Sequence, residues 1–193
     1  MLFGQVANFK TNSTLPIEKF PIALNCNLKA AIRIKSAEEV DLRFHSRLNC
    51  KKKTYRYIIN NSKYGTAIYR NLETYIPQKL NIEKMKEAVK YFEGEHDFKA
   101  FRSSGTSSKS SVRIIYKAEV IEMPGERIYI ELTGNGFLYN MVRIIAGTLV
   151  DVGIGKIEPS DIEKIIESKE RSNAGKTLQP QGLYLLKVEY EDK

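Results

Sequence analysis

The stretch GNGFLYNMVRIIAGTLVDVGIG, residues 134–155, is largely apolar with one charge in its middle, Arg143, and from Leu132 to Val150 no other charged residue occurs. Leu138, Met141, Val142, Ile145, Leu149 and Val152 recur at helical spacing and define a core stripe, and Arg143 lies off it. Its own face carries Tyr139, Asn140, Ala146 and Gly147, polar or small residues that let another element approach the guanidinium closely. An arginine on a solvated face is the ordinary alternative. Such faces usually hold several charges, so a lone guanidinium points instead to a cleft or an ion-pair partner. Held in a water-poor site, it would keep a carboxylate ionised and oriented.

Other chemistries have less support. Cys26, Cys50, His45 and His96 show no metal-ligand spacing, which predicts free thiols and no metal cofactor. No Gly-rich nucleotide loop, nucleophile elbow or metal-spaced histidine pair occurs. No apolar run approaches the roughly 20 residues that span a bilayer. The N-terminus MLFGQVANFK lacks the order of a secretion signal, so a cytoplasmic protein is expected.

The 193-residue chain has a net charge of +8, unevenly spread. Residues 29–56 hold nine basic side chains (Lys29, Arg33, Lys35, Arg43, Arg47, Lys51, Lys52, Lys53, Arg56) against Glu38, Glu39 and Asp41. The loop KAFRSSGTSSKSSVR, residues 99–113, adds Lys99, Arg102, Lys109 and Arg113 with no acid, and its serines and glycine can bring backbone N–H groups to phosphate oxygens. Both segments suit a polyanion such as RNA. A solvated lysine-rich strand edge and a merely flexible serine loop remain as alternatives.

Two-residue alternation predicts strands at 54–61, 112–123, 127–134 and 183–190, with helices over 82–94 and 137–152 between them. In the first helix Ile82, Met85, Val89 and Phe92 form one stripe, and Gly94 ends it. The order is the split β-α-β-β-α-β of ferredoxin-like α+β domains. A short helix at 160–169, capped by Ser160, is inserted before the last strand. Residues 1–50 do not complete such a unit. They offer strands at FGQVANF and AAIRIK and a short helix over 21–27, the expected tail of a second α+β half, with the ferredoxin-like domain at 51–193.

In order and spacing, FHSR (44–47), KKTYRY (52–57), HDFKAFR (96–102), SVR (111–113), NGFLYNMVRIIAGTLVDVG (135–153) and PQGLYL (180–185) resemble the TruA-type tRNA pseudouridine synthases along essentially the whole chain. The resemblance implies the pseudouridine synthase fold, two ferredoxin-like halves flanking a cleft, a cofactor-free isomerisation of uridine in the tRNA anticodon arm, and a homodimer. It implies that Arg143 holds the catalytic aspartate and that Tyr55 packs on the target uracil. His45 and Arg47 match a cleft-lining segment. RNA contacts are expected from these two and from Lys51, Lys52, Lys53, Arg56, Arg102, Lys109 and Arg113. On periodicity alone Tyr55 is a half-buried strand tyrosine and His45 a hydrogen-bonded strand-end residue.

One departure stands out. The family's aspartate sits in a Gly-Arg-Thr-Asp motif that this chain does not contain, and FGQVANFKT resembles the strand that follows it. The chain is therefore expected to start just after the catalytic aspartate and, on its own, to bind RNA weakly and catalyse nothing. A stand-alone ferredoxin-like RNA-binding or assembly module is the alternative.

Overall fold

In the computed structural model, which describes residues 3–105 and 110–190, burial alternates residue by residue from Arg127 to Gly134. Ile128, Ile130 and Leu132 enter the core, while Arg127, Tyr129, Glu131 and Thr133 lie on the opposite face. In chain order the elements are α1 (Phe20–Asn27), β1 (Lys52–Asn60), β2 (Thr74–Tyr75), α2 (Ile82–Lys90), β3 (Gly94–Asp97), β4 (Val112–Met123), β5 (Arg127–Gly134), α3 (Met141–Gly153), α4 (Asp161–Ser168) and β6 (Leu183–Glu189).

The six strands make one sheet in the order β2-β1-β5-β4-β3, with β6 also paired to β1. β1 runs antiparallel to β5 and β6, and Tyr55, Tyr57 and Ile59 register against Leu132, Ile130 and Ile128. The sequence β6-β1-β5-β4 puts the first long strand between the last and the third, which is the expected split β-α-β-β-α-β arrangement. β2 and β3 are short additions at the margins. Helices α2 and α3 join the sheet in one apolar core that holds every residue of the α3 stripe and Met85, Val89 and Phe92 of the α2 stripe.

α3 starts later than its apolar pattern, at Met141. Asn140 has φ 62, a left-handed conformation that breaks helical geometry and that asparagine tolerates better than most residues. Ser160 does precede α4, without a side-chain capping bond. α2 stops at Lys90, and Gly94, with φ 106, opens β3 instead.

Residues 6–49 form a separate compact unit, distinct from residues 50–190 with 3–5. The short helix is present as α1, but the strands expected at 3–9 and 30–35 do not form. Only the N–H groups of Phe3 and Gly4 reach a strand, both donating to the Leu185 carbonyl. Residues 6–49 contain no strand to complete a ladder for the other segments, and an isolated strand leaves its backbone groups to water. Side-chain hydrogen bonds hold this unit instead. Asn25 both donates to the Ile34 carbonyl and accepts from its N–H, and Asn8 bridges to Phe44 and Ser46.

Candidate active site

Arg143 sits in the first turns of α3, half-buried while its neighbours Val142 and Ile144 are buried. The face it shares with Gly147 is covered by the segment that follows α4. A Cβ at Gly147 would lie 1.9 Å from the Lys176 carbonyl oxygen, so only glycine admits this strap. Two backbone links fasten the strap: the Gly175 N–H donates to Thr148 Oγ1, at 2.9 Å, and the Leu178 N–H donates to the Arg143 carbonyl, at 3.3 Å. The Leu178 carbonyl accepts from Arg143 Nε at 2.7 Å. Arg143 Nη1 donates to Asn140 Oδ1, also at 2.7 Å. Among the described residues no carboxylate pairs with Arg143, so its Nη2 edge keeps its donors for another acceptor.

Two tyrosines on the same face of β1 divide the neighbouring space. Tyr57 is fully buried; its hydroxyl donates to the Gln179 carbonyl and lies 2.5 Å from Thr74 Oγ1. Burial pushes its pKa up to about 12, with the Thr74 hydrogen bond and the Arg143 charge pulling the other way. The strap therefore ties to Arg143 through Leu178 and to β1 through Gln179. Tyr55, one step nearer the strand's start, is half-buried, with its ring 5.1 Å from that of Phe137 in an edge-on arrangement. Burial is the main cause of its raised pKa, with Cys50 contributing. Neither phenol ionises near neutral pH.

The basic loop is anchored to the same corner. The Ser103 N–H donates to the Tyr139 carbonyl at 3.2 Å, and Asn140 Nδ2 donates to Ser103 Oγ at 3.1 Å. At the loop's base Asp97 is held below the usual aspartate range by a hydrogen bond with Ser111, against the opposing effect of burial, and further by Lys169 and the Lys99 N–H. Arg102 is half-buried beside Ser103, and Gly136 packs near Arg113, whose Nη1 donates to the Ser110 carbonyl at 3.1 Å. Lys109 lies outside the described residues.

The remaining sequence candidates are dispersed. Strand alternation puts Lys53 on the Tyr55 side of the sheet and Lys52 and Arg56 on the other. Arg56 is engaged there: its Nε donates to Glu131 Oε1 at 2.8 Å, and its guanidinium carbon lies 4.4 Å from the Tyr129 ring centroid. Lys52 Nζ lies 5.2 Å from the Tyr116 centroid, and the Lys51 N–H donates to the Glu189 carbonyl. His45 and Arg47 belong to the unit of residues 6–49. Both are exposed, and His45 Nδ1 accepts from the Arg47 N–H at 3.2 Å.

Sequence reading gave Asn140 no function, although its spacing of three from Arg143 is the signal that two helical side chains meet. Tyr57 was legible only as the last residue of KKTYRY. The Leu178 and Gln179 carbonyls leave no sequence trace, since every residue carries one. Among the described residues no three His, Cys, Asp or Glu side chains gather to hold a metal. What the arrangement can do is orient a carboxylate next to a polyanion, because the guanidinium is fixed on two sides and has no partner for Nη2 among the described residues, beside a tyrosine ring and a basic loop.

Comparisons with known proteins identify the family. Residues 88–191 match the family model described as tRNA pseudouridine synthase. The chain is 50% identical over 187 residues to the tRNA pseudouridine synthase A of Caldicellulosiruptor bescii, covering 97% of this chain and 76% of that protein. It has the same identity, over the same shares, to the protein of that name from Acetivibrio thermocellus. The Bacillus subtilis protein of that name is 42% identical over 189 residues, covering 98% of this chain and 76% of its own length.

Proposed function

Because the chain belongs to the tRNA pseudouridine synthase family, we propose that Arg143 holds the carboxylate that acts on a target uridine in the anticodon arm of tRNA, and that Tyr55 packs on the uracil. The reaction breaks the bond between the sugar carbon and the base nitrogen. The freed uracil turns, its C5 bonds to the same sugar carbon, the proton at C5 is lost to solvent, and the released ring nitrogen gains a proton, so the product is an isomer of uridine. A carboxylate beside the sugar starts this sequence, and a fixed guanidinium keeps it ionised and aimed. A ring packed against the base keeps the loosened uracil from leaving.

The observation that carries the reading is the state of Arg143: bonded to Leu178 and Asn140, with no carboxylate partner among the described residues. The chain contains no Gly-Arg-Thr-Asp motif. On its own, without that motif, it is expected to bind tRNA without isomerising it. Lys53, Arg102, Lys109 and Arg113, with His45 and Arg47, are proposed as RNA contacts. By family resemblance the working form is a cytoplasmic homodimer, which sedimentation equilibrium tests. Among the described residues no helix is long and apolar enough to cross a membrane.

Release of tritium from C5-labelled uridine in tRNA tests the catalytic reading. The chain on its own is expected to release none. Joined to a segment ending in Gly-Arg-Thr-Asp it is expected to become active, and Arg143→Ala is expected to abolish that activity as fully as removal of the new aspartate, without additivity, because both break one pair. Turnover by the chain on its own overturns the reading. Failure of the joined, folded protein to turn over while it still binds tRNA supports a binding module instead.

A further inference from the structure

The guanidinium of Arg143 is held by one main-chain and one side-chain acceptor, and only the side-chain one depends on residue type. We propose that Asn140 is a positioning residue: it locks the orientation of Arg143 and ties that orientation to the basic loop through Ser103. This rests on the reading of Arg143 given above and adds a residue to it.

Three observations converge. First, Asn140 takes a left-handed backbone conformation, φ 62, immediately before α3. Side-chain-bearing residues adopt it at a cost of about 1 kcal/mol or more, and such conformations concentrate at functional sites. Its amide makes no capping bond to α3, so helix capping does not account for it. Second, Asn140 Oδ1 accepts from Arg143 Nη1 at 2.7 Å, while the Leu178 carbonyl accepts from Nε at 2.7 Å. Bonds at both nitrogens stop the planar guanidinium from turning about its stem and leave Nη2 without a hydrogen-bond partner among the described residues. Third, the amide itself is oriented. Its Nδ2 donates to Ser103 Oγ at 3.1 Å, and the Ser103 N–H is fixed to the Tyr139 carbonyl. Reversing the amide would turn an N–H donor toward Arg143, which has only donors to offer, so Arg143 itself selects this orientation and the Ser103 contact anchors the amide's other end. Ser103, in the basic loop, and the arginine thus share one hydrogen-bonded chain.

Substitution by glycine and by aspartate separates this role from a structural one. Asn140→Gly removes the amide and accepts positive φ freely. Asn140→Asp keeps an acceptor in place, and its negative charge occupies Arg143 in competition with the acting carboxylate. Arg143 side-chain nitrogens, 15N-labelled in the chain on its own and assigned by their loss in Arg143→Lys, are the direct readout. Restricted Nη rotation is expected in the wild type. Rotation is expected to be several-fold faster in Asn140→Gly at unchanged secondary structure, and restricted again in Asn140→Asp, which restores the acceptor. Should Asn140→Gly fail to fold, Ser103→Ala serves instead, with faster Nη rotation expected because the amide loses its second anchor. Arg143 signals unaffected by these changes overturn the role of Asn140 alone.

In the protein joined to a Gly-Arg-Thr-Asp segment, kcat is expected to fall roughly tenfold to a hundredfold in Asn140→Gly, with KM for tRNA nearly constant. It is expected to fall further in Asn140→Asp. A merely structural role predicts the reverse order, since the aspartate strengthens the local contact. Freed Arg143 signals with kcat unchanged overturn the catalytic reading of Arg143 and the positioning role with it.

Discussion

At the residue scale, Tyr55 and Tyr57 show how two side chains on one face of a strand come to differ in role. Tyr57, fully buried, spends its hydroxyl on Gln179 and Thr74 and so holds the strap in place. Tyr55 packs against the core with its ring edge-on to Phe137, and its hydroxyl has no hydrogen-bond partner among the described residues. Tyr57→Phe is expected to cost about 1–3 kcal/mol, because the Gln179 carbonyl loses its buried donor, whereas Tyr55→Phe leaves stability near wild type; urea unfolding at neutral pH measures both. The pH dependence follows from the raised pKa. An unfolded tyrosine ionises near 10 and Tyr57 in the fold near 12. Between these values the unfolded state binds fewer protons, so stability falls as pH rises. The Tyr57 contribution is present in full below about pH 10 and is lost through about pH 12, and the stability gap between wild type and Tyr57→Phe is expected to close over that window. Lys52 and Lys53 are divided in the same way, on opposite faces of β1. Lys53→Gln is expected to lower the salt slope of tRNA binding by about 0.9 and Lys52→Gln to leave it unchanged. Equal effects from the two would rule out an RNA path along the Tyr55 face.

At the scale of elements, α3 and the strap after α4 act as one device. The close approach at Gly147 puts the Leu178 carbonyl on Arg143 and the Gln179 carbonyl on Tyr57. Gly147→Ala forces the Lys176 carbonyl outward, and about 1–3 kcal/mol of destabilisation is expected from such overpacking, read by urea unfolding, with the Arg143 Nε–H exchanging faster with solvent. Tolerance of alanine without either change would show that the strap is loosely attached. The sequence made α3 legible because its stripe is long, and the split β-α-β-β-α-β order legible because β4 and β5 alternate cleanly. The space around Arg143 was legible too, since Gly147 and Ala146 are small. The strap was not, because its contacts are main-chain carbonyls. The late start of α3 was equally hidden: an apolar pattern runs through Leu138 without showing that Asn140 is left-handed. The absent strands at 3–9 and 30–35 failed for another reason. Alternation describes a strand that has a neighbour, and residues 6–49 supply none.

At the scale of the whole molecule, the two units differ in what holds them. Residues 50–190 share a continuous core in which Tyr57, Phe92, Phe98, Phe101 and Met141 are fully buried. Residues 6–49 contain no buried residue. Phe9, Ile22, Leu42 and Leu48 are exposed by 60%, 67%, 78% and 75%, so little apolar area is removed from water within that unit. Its cohesion comes from asparagine side chains bonded to backbone groups at Ile34, Phe44 and Ser46, each worth about 1 kcal/mol or less where water competes. Conformational entropy of about 1–2 kcal/mol per ordered residue opposes them. The unit is therefore expected to open locally, far more easily than the sheet. Hydrogen exchange followed by mass spectrometry checks this: amides of 6–49 are expected to exchange within seconds, while those of α3 and β5 persist until global unfolding. Added tRNA is expected to slow exchange around His45 and Arg47, because phosphate contacts bind only the ordered form and stabilise it by mass action. That protection should fade as salt rises. Protection of 6–49 equal to that of β5 in the free chain would mean that this unit carries a stability its own contacts do not explain.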